Sequence, residues 1–327
     1  QHASTPGGLA TLQHELVKTL NGLIEETVRE AGIVHEHIYE AVLSGNTCMI
    51  HLAAGIDPSS LGKHPYTPAF RGEAMVSARS LDLHIAPEGV AYFPPIISGY
   101  VGADIVSGIL ATDLNNQGGV TLLIDIGTNG EMVLARDGEL FAASTAAGPA
   151  FEGMNISCGM RAAAGAVERY VLQDDGSPEV RTIANAPARG ICGSGLLDIV
   201  GELAAYGGID ARGRLAAAGT GTMGQHIEMN HERRVLRVAG NVTLDQKDIR
   251  QVQLAKAAIR AGIDLLLAKA GIAPDAVNRI LIAGSFGYHL RVESLLNLGL
   301  LPQVFAGRIE FVGNTSKTGA QAFLLNL

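Results

Sequence analysis

The segment Leu123-Ile124-Asp125-Ile126-Gly127-Thr128-Asn129-Gly130-Glu131 sets an acidic residue at the end of an apolar run, directly before a turn with two glycines. Such a turn can offer the backbone N–H groups of Gly127, Thr128, Asn129 and Gly130, with the Thr128 hydroxyl, to phosphate oxygens. Asp125 stands where a carboxylate can hold Mg²⁺ through water. The residues after the turn read as a strand, and no Gly-Lys-Ser/Thr occurs, so this is not a Walker-type P-loop. In an isolated hairpin, Gly127 and Gly130 would serve only to permit positive φ. Two further glycine turns shift that balance. Gly190-Ile191-Cys192-Gly193-Ser194-Gly195 opens an apolar-periodic helix, so the amides of Gly193, Ser194 and Gly195 can meet an anion along the helix dipole. Gly284-Ser285-Phe286-Gly287 follows a strand in the same way, although close packing explains any single glycine equally well.

The elements that must carry these turns follow from periodicity. Apolar residues at helical spacing predict a helix over 9–28 stopped by Gly32, then a strand over 38–43, a helix over 47–54, a strand over 90–93 and a helix over 101–114. The break Asn115-Asn116-Gln117-Gly118-Gly119 divides a first lobe, 1–114, from a second, 115–327. The second lobe opens with an antiparallel meander over 120–125, 131–135 and 139–143. Its longest helix runs over 245–270, capped by Asp245 or Asp248, with Leu254, Ala258, Ile259, Ile263, Leu266 and Leu267 inward and Gly271 as the stop. Strands over 279–283 and 309–312 each lead through a glycine turn into a helix, which makes the lobe α/β.

With 327 residues, 47% hydrophobic and 17% charged, the chain can bury a large core. A net charge of −8 without a Lys/Arg-rich tract argues against a phosphate-tracking nucleic-acid surface and an anionic-membrane patch, so neither partner is expected. The apolar stretch from Val90 to Ala111 is broken by Pro94, Pro95, Gly99 and Asp104, so no bilayer span is expected. Cys48, Cys158 and Cys192 are few, odd in number and far apart, which fits buried thiols in the reducing cytoplasm and no Fe–S cluster on these cysteines. The start at Gln1, without a signal peptide, is expected of a trimmed fragment. Among the weaker signals, Gly219 to Gly224 matches G-x-G-x-x-G but reads as a flexible loop, and His35-Glu36-His37 reads as exposed histidines. Glu152 and Arg161, charged in a glycine-rich stretch, suit a nucleotide or partner contact or a structural ion pair. Cys158 and Cys192 read as small buried hydrophobes.

At the phosphate-type turns the sequence resembles the superfamily of acetate and sugar kinases, heat-shock ATPases and actin. The turn from Asp125 to Gly130 is similar to its second phosphate motif, Leu281 to Gly287 to its adenosine motif, and 101–114 and 313–324 to its two interlobe connecting helices. The resemblance implies an α/β, actin-like ATPase (ribonuclease H-like) two-lobed fold whose first lobe is incomplete, lacking the first phosphate motif. Four strings narrow it: Ser44-Gly45-Asn46-Thr47-Cys48-Met49, Gly99-Tyr100-Val101-Gly102-Ala103-Asp104, Ala146-Ala147-Gly148-Pro149-Ala150-Phe151-Glu152-Gly153 and Ile156-Ser157-Cys158-Gly159-Met160-Arg161. These resemble the reductive activators of corrinoid proteins. That family implies ATP and Mg²⁺ as cofactors, a corrinoid protein of a cobalamin-dependent methyltransferase as partner, reduction of Co(II) to Co(I), and a homodimer as an assembly it allows. Its [2Fe-2S] domain, the electron source, lies amino-terminal to what is present here. The competing readings are a small-molecule kinase, with Asp104 as the candidate acid or base, and a nucleotide-free partner-binding module.

Overall fold

The computed structural model describes Ala3, residues 5–284 and residues 290–326. The chain forms two compact units, one of residues 1–116 with 314–327 and one of residues 117–313.

The first unit opens with α1 (Gly8–Ala31), which ends where Gly32 takes a left-handed φ of 64° and donates its N–H to the Val28 carbonyl. Leu16, Val17, Leu20 and Ile24 form its inner row, at i, i+4 and i+8 spacing from Leu16. Buried Asn21 spans two neighbours, donating to the Asp82 carbonyl at 2.8 Å and accepting from the His84 N–H at 2.9 Å. Strands β1 (Glu40–Val42), β2 (Ala74–Ser77) and β3 (Val90–Phe93) form a sheet in the order β1-β3-β2, parallel on one side and antiparallel on the other. Between β1 and β2, α2 (Thr47–Ala53) is capped by Asn46, whose side chain accepts from the Met49 N–H.

Helix α3 covers only Ala103–Ala111, shorter than the 101–114 the periodicity predicts. Gly102 is extended and lies so close to α2 that a Cβ there would stand 2.6 Å from the Thr47 nitrogen. At the other end the chain tightens into a single 3₁₀ turn, Leu114–Asn116. A C-terminal helix, Thr315–Asn326, closes against α3 so tightly that a Cβ on Gly319 would run into the Ser107 backbone. Ser44 joins the same contact, its hydroxyl 2.8 Å from that of Ser107 and 3.0 Å from that of Ser316.

In the second unit β4 (Val120–Ile126), β5 (Gly130–Arg136) and β6 (Glu139–Thr145) are the antiparallel meander expected from the sequence. A second sheet follows, made of β7 (Ala166–Leu172), β8 (Pro178–Thr182) and the two-residue β9 (Gly190–Ile191), in the order β8-β7-β9. Helix α4 (Gly193–Ala205) leaves β9 and packs across β7. The four-residue α5 (Gly221–Gly224) corrects the loop reading of 219–224: one helical turn forms there because Met223 is fully buried. A third sheet, β10 (Ile227–Asn230), β11 (Arg233–Ala239) and β12 (Val242–Asp245), delivers the chain into α6 (Gln246–Ala270).

Helix α6 lies on the meander, and two small residues set its distance. A Cβ on Gly262 would stand 2.5 Å from Thr145 Cγ2, and one on Gly130 would stand 2.8 Å from Ile259 Cγ1. Leu254 does not face inward as expected; it is exposed, because the buried row runs Ile249, Val252, Ala255, Ile259, Ile263 and places residue 254 on the far side of the helix. Asp245 is the N-cap and Asp248 completes a capping box, with Asp245 accepting from the N–H of residues 247 and 248 and Asp248 from the N–H of Asp245. Asp245→Ala is expected to lower stability by about 1 kcal/mol, read from the urea midpoint, because two first-turn donors lose their acceptor.

β13 (Arg279–Ala283) pairs in parallel with β4, and after α7 (Val292–Asn297) β14 (Ile309–Gly313) pairs in parallel with β13. The sheet order is therefore β14-β13-β4-β5-β6, the strand arrangement of the ribonuclease H-like, actin-like fold, and Thr315–Asn326 is α8.

One buried network ties α4 and α7 to the second sheet. β9 meets β7 only at Ala166 and Val167. Farther along that edge Asp198 accepts from the Tyr170 N–H at 3.3 Å and Glu202 from the Leu172 N–H at 3.2 Å. Residues 198 and 202, one helical turn apart on α4, thus replace a missing strand. Arg291 pairs with Glu202 at 3.0 Å, and the Ser294 hydroxyl donates to Asp198 at 2.5 Å. Burial pushes the Asp198 carboxyl above its ordinary 3.8, against the pull of the Ser294 hydroxyl, the Tyr170 amide and the positive charges of Arg291 and Arg169. The folded chain therefore holds this proton more tightly than the unfolded chain. The group's contribution to stability is greatest below 3.8 and declines as pH rises through the folded value. Asp198→Asn is expected to flatten that decline in stability measured against pH.

Candidate functional site

Asp125 is half-buried near the end of β4, next to Ala283 of β13 on one side and Glu131 of β5 on the other. Directly paired residues point to the same face of a sheet, so the Asp125 and Glu131 carboxylates share one face. Glu131 is buried and accepts from the Ser144 hydroxyl at 3.3 Å. Reading the turn alone missed Glu131; the signal was its place six residues after Asp125, across a tight turn that brings the two into register.

The turn's glycines do not serve the purpose an isolated hairpin would give them. Neither Gly127 nor Gly130 has positive φ. Gly130 is small because Ile259 and the Thr145 hydroxyl press on it, whereas a Cβ on Gly127 would find only the Asn129 oxygen, at 3.8 Å. The Gly127 N–H is spent inside the turn, donating to the Asn129 carbonyl at 2.9 Å. Thr128 is exposed, and its hydroxyl donates to the Glu152 carboxylate at 2.6 Å. Gly284, just past β13, has a φ of 124°, and a Cβ there would stand 2.7 Å from the Ile126 oxygen and 3.5 Å from Asp125 Oδ1. The backbone therefore approaches the Asp125 carboxylate where no side chain fits. Ser285 and Gly287 lie outside the described residues.

Glu152 is also on the wall of a cavity of ≈ 570 Å³, together with Arg161, Glu168, Met160, Gly193 and Ser194. No ion pair joins Glu152 to Arg161 among the described residues. Here α4 begins: its N-cap is Cys192, which offers no side-chain acceptor, and the N–H groups of Gly193, Ser194 and Gly195 have no acceptor among the described residues. A helix start of this kind favours an anion. Gly193 and Gly195 have a packing duty as well, since a Cβ on either would run into the Phe151 or the Val167 carbonyl. Cys192 is buried, its thiol 3.3 Å from the Val167 carbonyl, while Cys158 is half-buried and Cys48, in the first turn of α2, is exposed, so the expected burial holds fully for Cys192 alone. The structure thus brings Asp125, the 127–130 turn and Gly284 together, and links Thr128 through Glu152 to the cavity that Gly193 and Ser194 line.

Asp104 is in the first unit, in the opening turn of α3, where it accepts from the Ile105 N–H at 2.9 Å and burial raises its carboxyl above the ordinary range. His35 is half-buried and meets Glu25 at 3.0 Å, and among the described residues no group of His, Cys, Asp and Glu is placed to hold a metal by itself. No helix among the described residues is long and apolar enough to cross a membrane.

Comparison with known proteins gives matches along the chain. The family model for the C-terminal domain of RACo, the ASKHA domain, matches residues 119–327, and that for the RACo middle region matches residues 1–117. The corrinoid activation enzyme RamQ of Eubacterium limosum is 33% identical over 335 residues, covering 98% of this chain and 56% of RamQ. A reductase of the Co(II) methylated amine-specific corrinoid protein of Methanosarcina barkeri is 29% identical over 254 residues, 71% of this chain and 44% of the reductase. A solved reductive activator for a corrinoid, iron–sulfur protein aligns with a TM-score of 0.88 at 37% identity, over 98% of this chain and 52% of that one. The chain spans about half the length of the proteins it matches.

Proposed function

Because the chain belongs to the RACo family, matching both its middle region and its C-terminal ASKHA domain, we propose that it is the actin-like, ATP-binding part of a reductive activator of a corrinoid protein. In this reading one electron passes from a [2Fe-2S] domain outside these 327 residues to the partner's corrinoid, taking Co(II) to Co(I). Such a transfer is uphill, and about 59 mV of mismatch is a tenfold factor in a one-electron equilibrium. Nucleotide-driven docking would offset it by changing the cobalt environment in the docked state.

The observation that carries the reading is the convergence at the end of β4: a carboxylate, an exposed threonine hydroxyl and a glycine backbone that only a missing Cβ lets approach. These residues fit a Mg-nucleotide. Asp125 would hold the hydrated ion, with Glu131 beside it on the same face of the sheet. Thr128 and Asn129 would meet phosphate oxygens, as would the unpaired amides at the start of α4. When bound, Mg-ATP supplies a phosphoanhydride whose hydrolysis can reset the complex. Cytoplasmic placement and a homodimer belong to the same proposal.

Glu152 holds the Thr128 hydroxyl that this reading assigns to phosphate, and it places a negative charge beside it. Glu152→Gln is expected to tighten Mg-free ATP binding about fivefold in calorimetry, the size of one unit charge at about 4 Å in water. The function itself is tested by following the absorbance of a Co(II) corrinoid protein mixed with this protein, a reduced [2Fe-2S] donor and Mg-ATP. Co(I) is expected to form only when ATP is present; equal formation without ATP rejects the proposal.

A further inference from the structure

The third sheet of the second unit meets α6 beside a hollow of ≈ 550 Å³. Three elements wall it: the 210–215 turn, the hairpin of β10 and β11, and the first turns of α6. Arg214, Arg233, Arg234, Lys247 and Arg250 line it, with Arg212 in the same turn as Arg214. In a chain of net charge −8 none of these side chains forms an ion pair among the described residues, although Asp245 also lines the hollow and the charges of Arg212 and Arg214 act on Asp210; Arg136, Arg237, Arg260, Arg279 and Arg291, by contrast, each have a carboxylate within hydrogen-bond distance. Clustered like charges repel and destabilise the fold that holds them, so the cluster calls for an anion.

The hollow is built rather than incidental. Arg234 donates to the Leu215 carbonyl at 2.8 Å and Arg250 to the Arg212 carbonyl at 3.1 Å. Gln246 fixes the same turn from two sides, donating to the Gly213 carbonyl and accepting from the Leu215 N–H. Two carboxylates stand beside the hollow, Asp210 accepting from the N–H groups of Arg212 and Arg214 and Asp245 capping α6; their two charges offset only part of the six positive ones. The side chains of Arg214, Arg233 and Lys247 make no hydrogen bond to any described residue, so two arginine forks and an ammonium stand ready on a fixed frame.

We propose that this hollow is a polyphosphate-binding site, separate from the Asp125 turn. Guanidinium forks match phosphate oxygens two at a time. A concavity of this volume suits a small ligand with several phosphate groups better than the flat face of an acidic protein.

The test is calorimetric titration of sodium tripolyphosphate into the full chain in Mg-free buffer of low ionic strength. Saturable binding is expected, weakened about tenfold or more by Arg214→Ala with Arg233→Ala, partly kept by the same pair changed to lysine, and unchanged by Asp125→Ala. Raising the salt should weaken it. ATP that binds at two sites per chain, one of them lost in the alanine pair, identifies the ligand as a nucleotide's phosphate tail; tripolyphosphate binding without a second ATP site identifies free polyphosphate. The absence of saturable binding overturns the proposal, as does binding that the alanine pair retains or that Asp125→Ala removes. An acidic protein held by these arginines without any tripolyphosphate binding overturns it too.

Discussion

Asp125→Ala is expected to weaken Mg-ATP binding by roughly 10- to 100-fold and to stop ATP-dependent cobalt reduction in the full activator, while leaving the fold intact. The magnitude is that of removing a carboxylate that orients a metal's bound water. The fold should survive because Asp125 is half-buried at the mouth of β4, and the hydrogen bonds of that strand to β5 and β13 run through its backbone. Asp125→Asn keeps the shape and removes the charge, so it separates the two contributions: an effect as large as that of alanine assigns the role to charge. Calorimetry with and without Mg²⁺ decides the outcome. Equal loss of affinity in both conditions would mean that Asp125 does not act through the ion.

Arg291→Met is expected to cost about 3–5 kcal/mol, because it leaves Glu202 as a buried carboxylate without its counter-charge. The Glu202 side chain is 4% exposed and that of Arg291 17%, so water replaces little of the lost attraction. Adding Glu202→Gln should recover a large part of the loss. A neutral amide oxygen can still accept from the Leu172 N–H, and no charge is left to desolvate. Urea unfolding of the single and double variants measures both. A double variant no more stable than Arg291→Met would show that the cost comes from lost packing of the arginine stem. Since α7 follows directly on the glycine segment after β13, the same variants should be assayed for ATP affinity.

The meander, α6 and its cap, and the parallel strands 279–283 and 309–313 were legible because each has a clean period and a capping or glycine stop. Asp125, Thr128 and Gly284 were singled out because a polar residue or a glycine turn closing an apolar strand needs a purpose, and the structure brings Asp125 and Gly284 to adjacent strand ends. Glu131 was hidden because it heads the run 131–135, whose other residues are apolar, and only the register of β4 against β5 shows that it faces Asp125. The bond from Thr128 to Glu152 joins residues 24 apart, and no local pattern encodes it. Nothing in the apolar period after Gly195 marks Asp198 and Glu202, yet α4 is buried nearly throughout and these two acids cover a sheet edge. Leu254 misled because hydrophobicity does not reveal which side of a long helix meets the core when apolar residues occur on both.

The packing of α8 on α3 dictates an order of assembly. The second unit is one continuous stretch, 117–313, and can fold as soon as it has left the ribosome. The core of the first unit also lies within residues 1–116, but its last contact does not: nearly 200 more residues must be made before Ser316 and Gly319 arrive to meet Ser44 and Ser107. During that interval the surface of α3 that α8 will cover stays open to water.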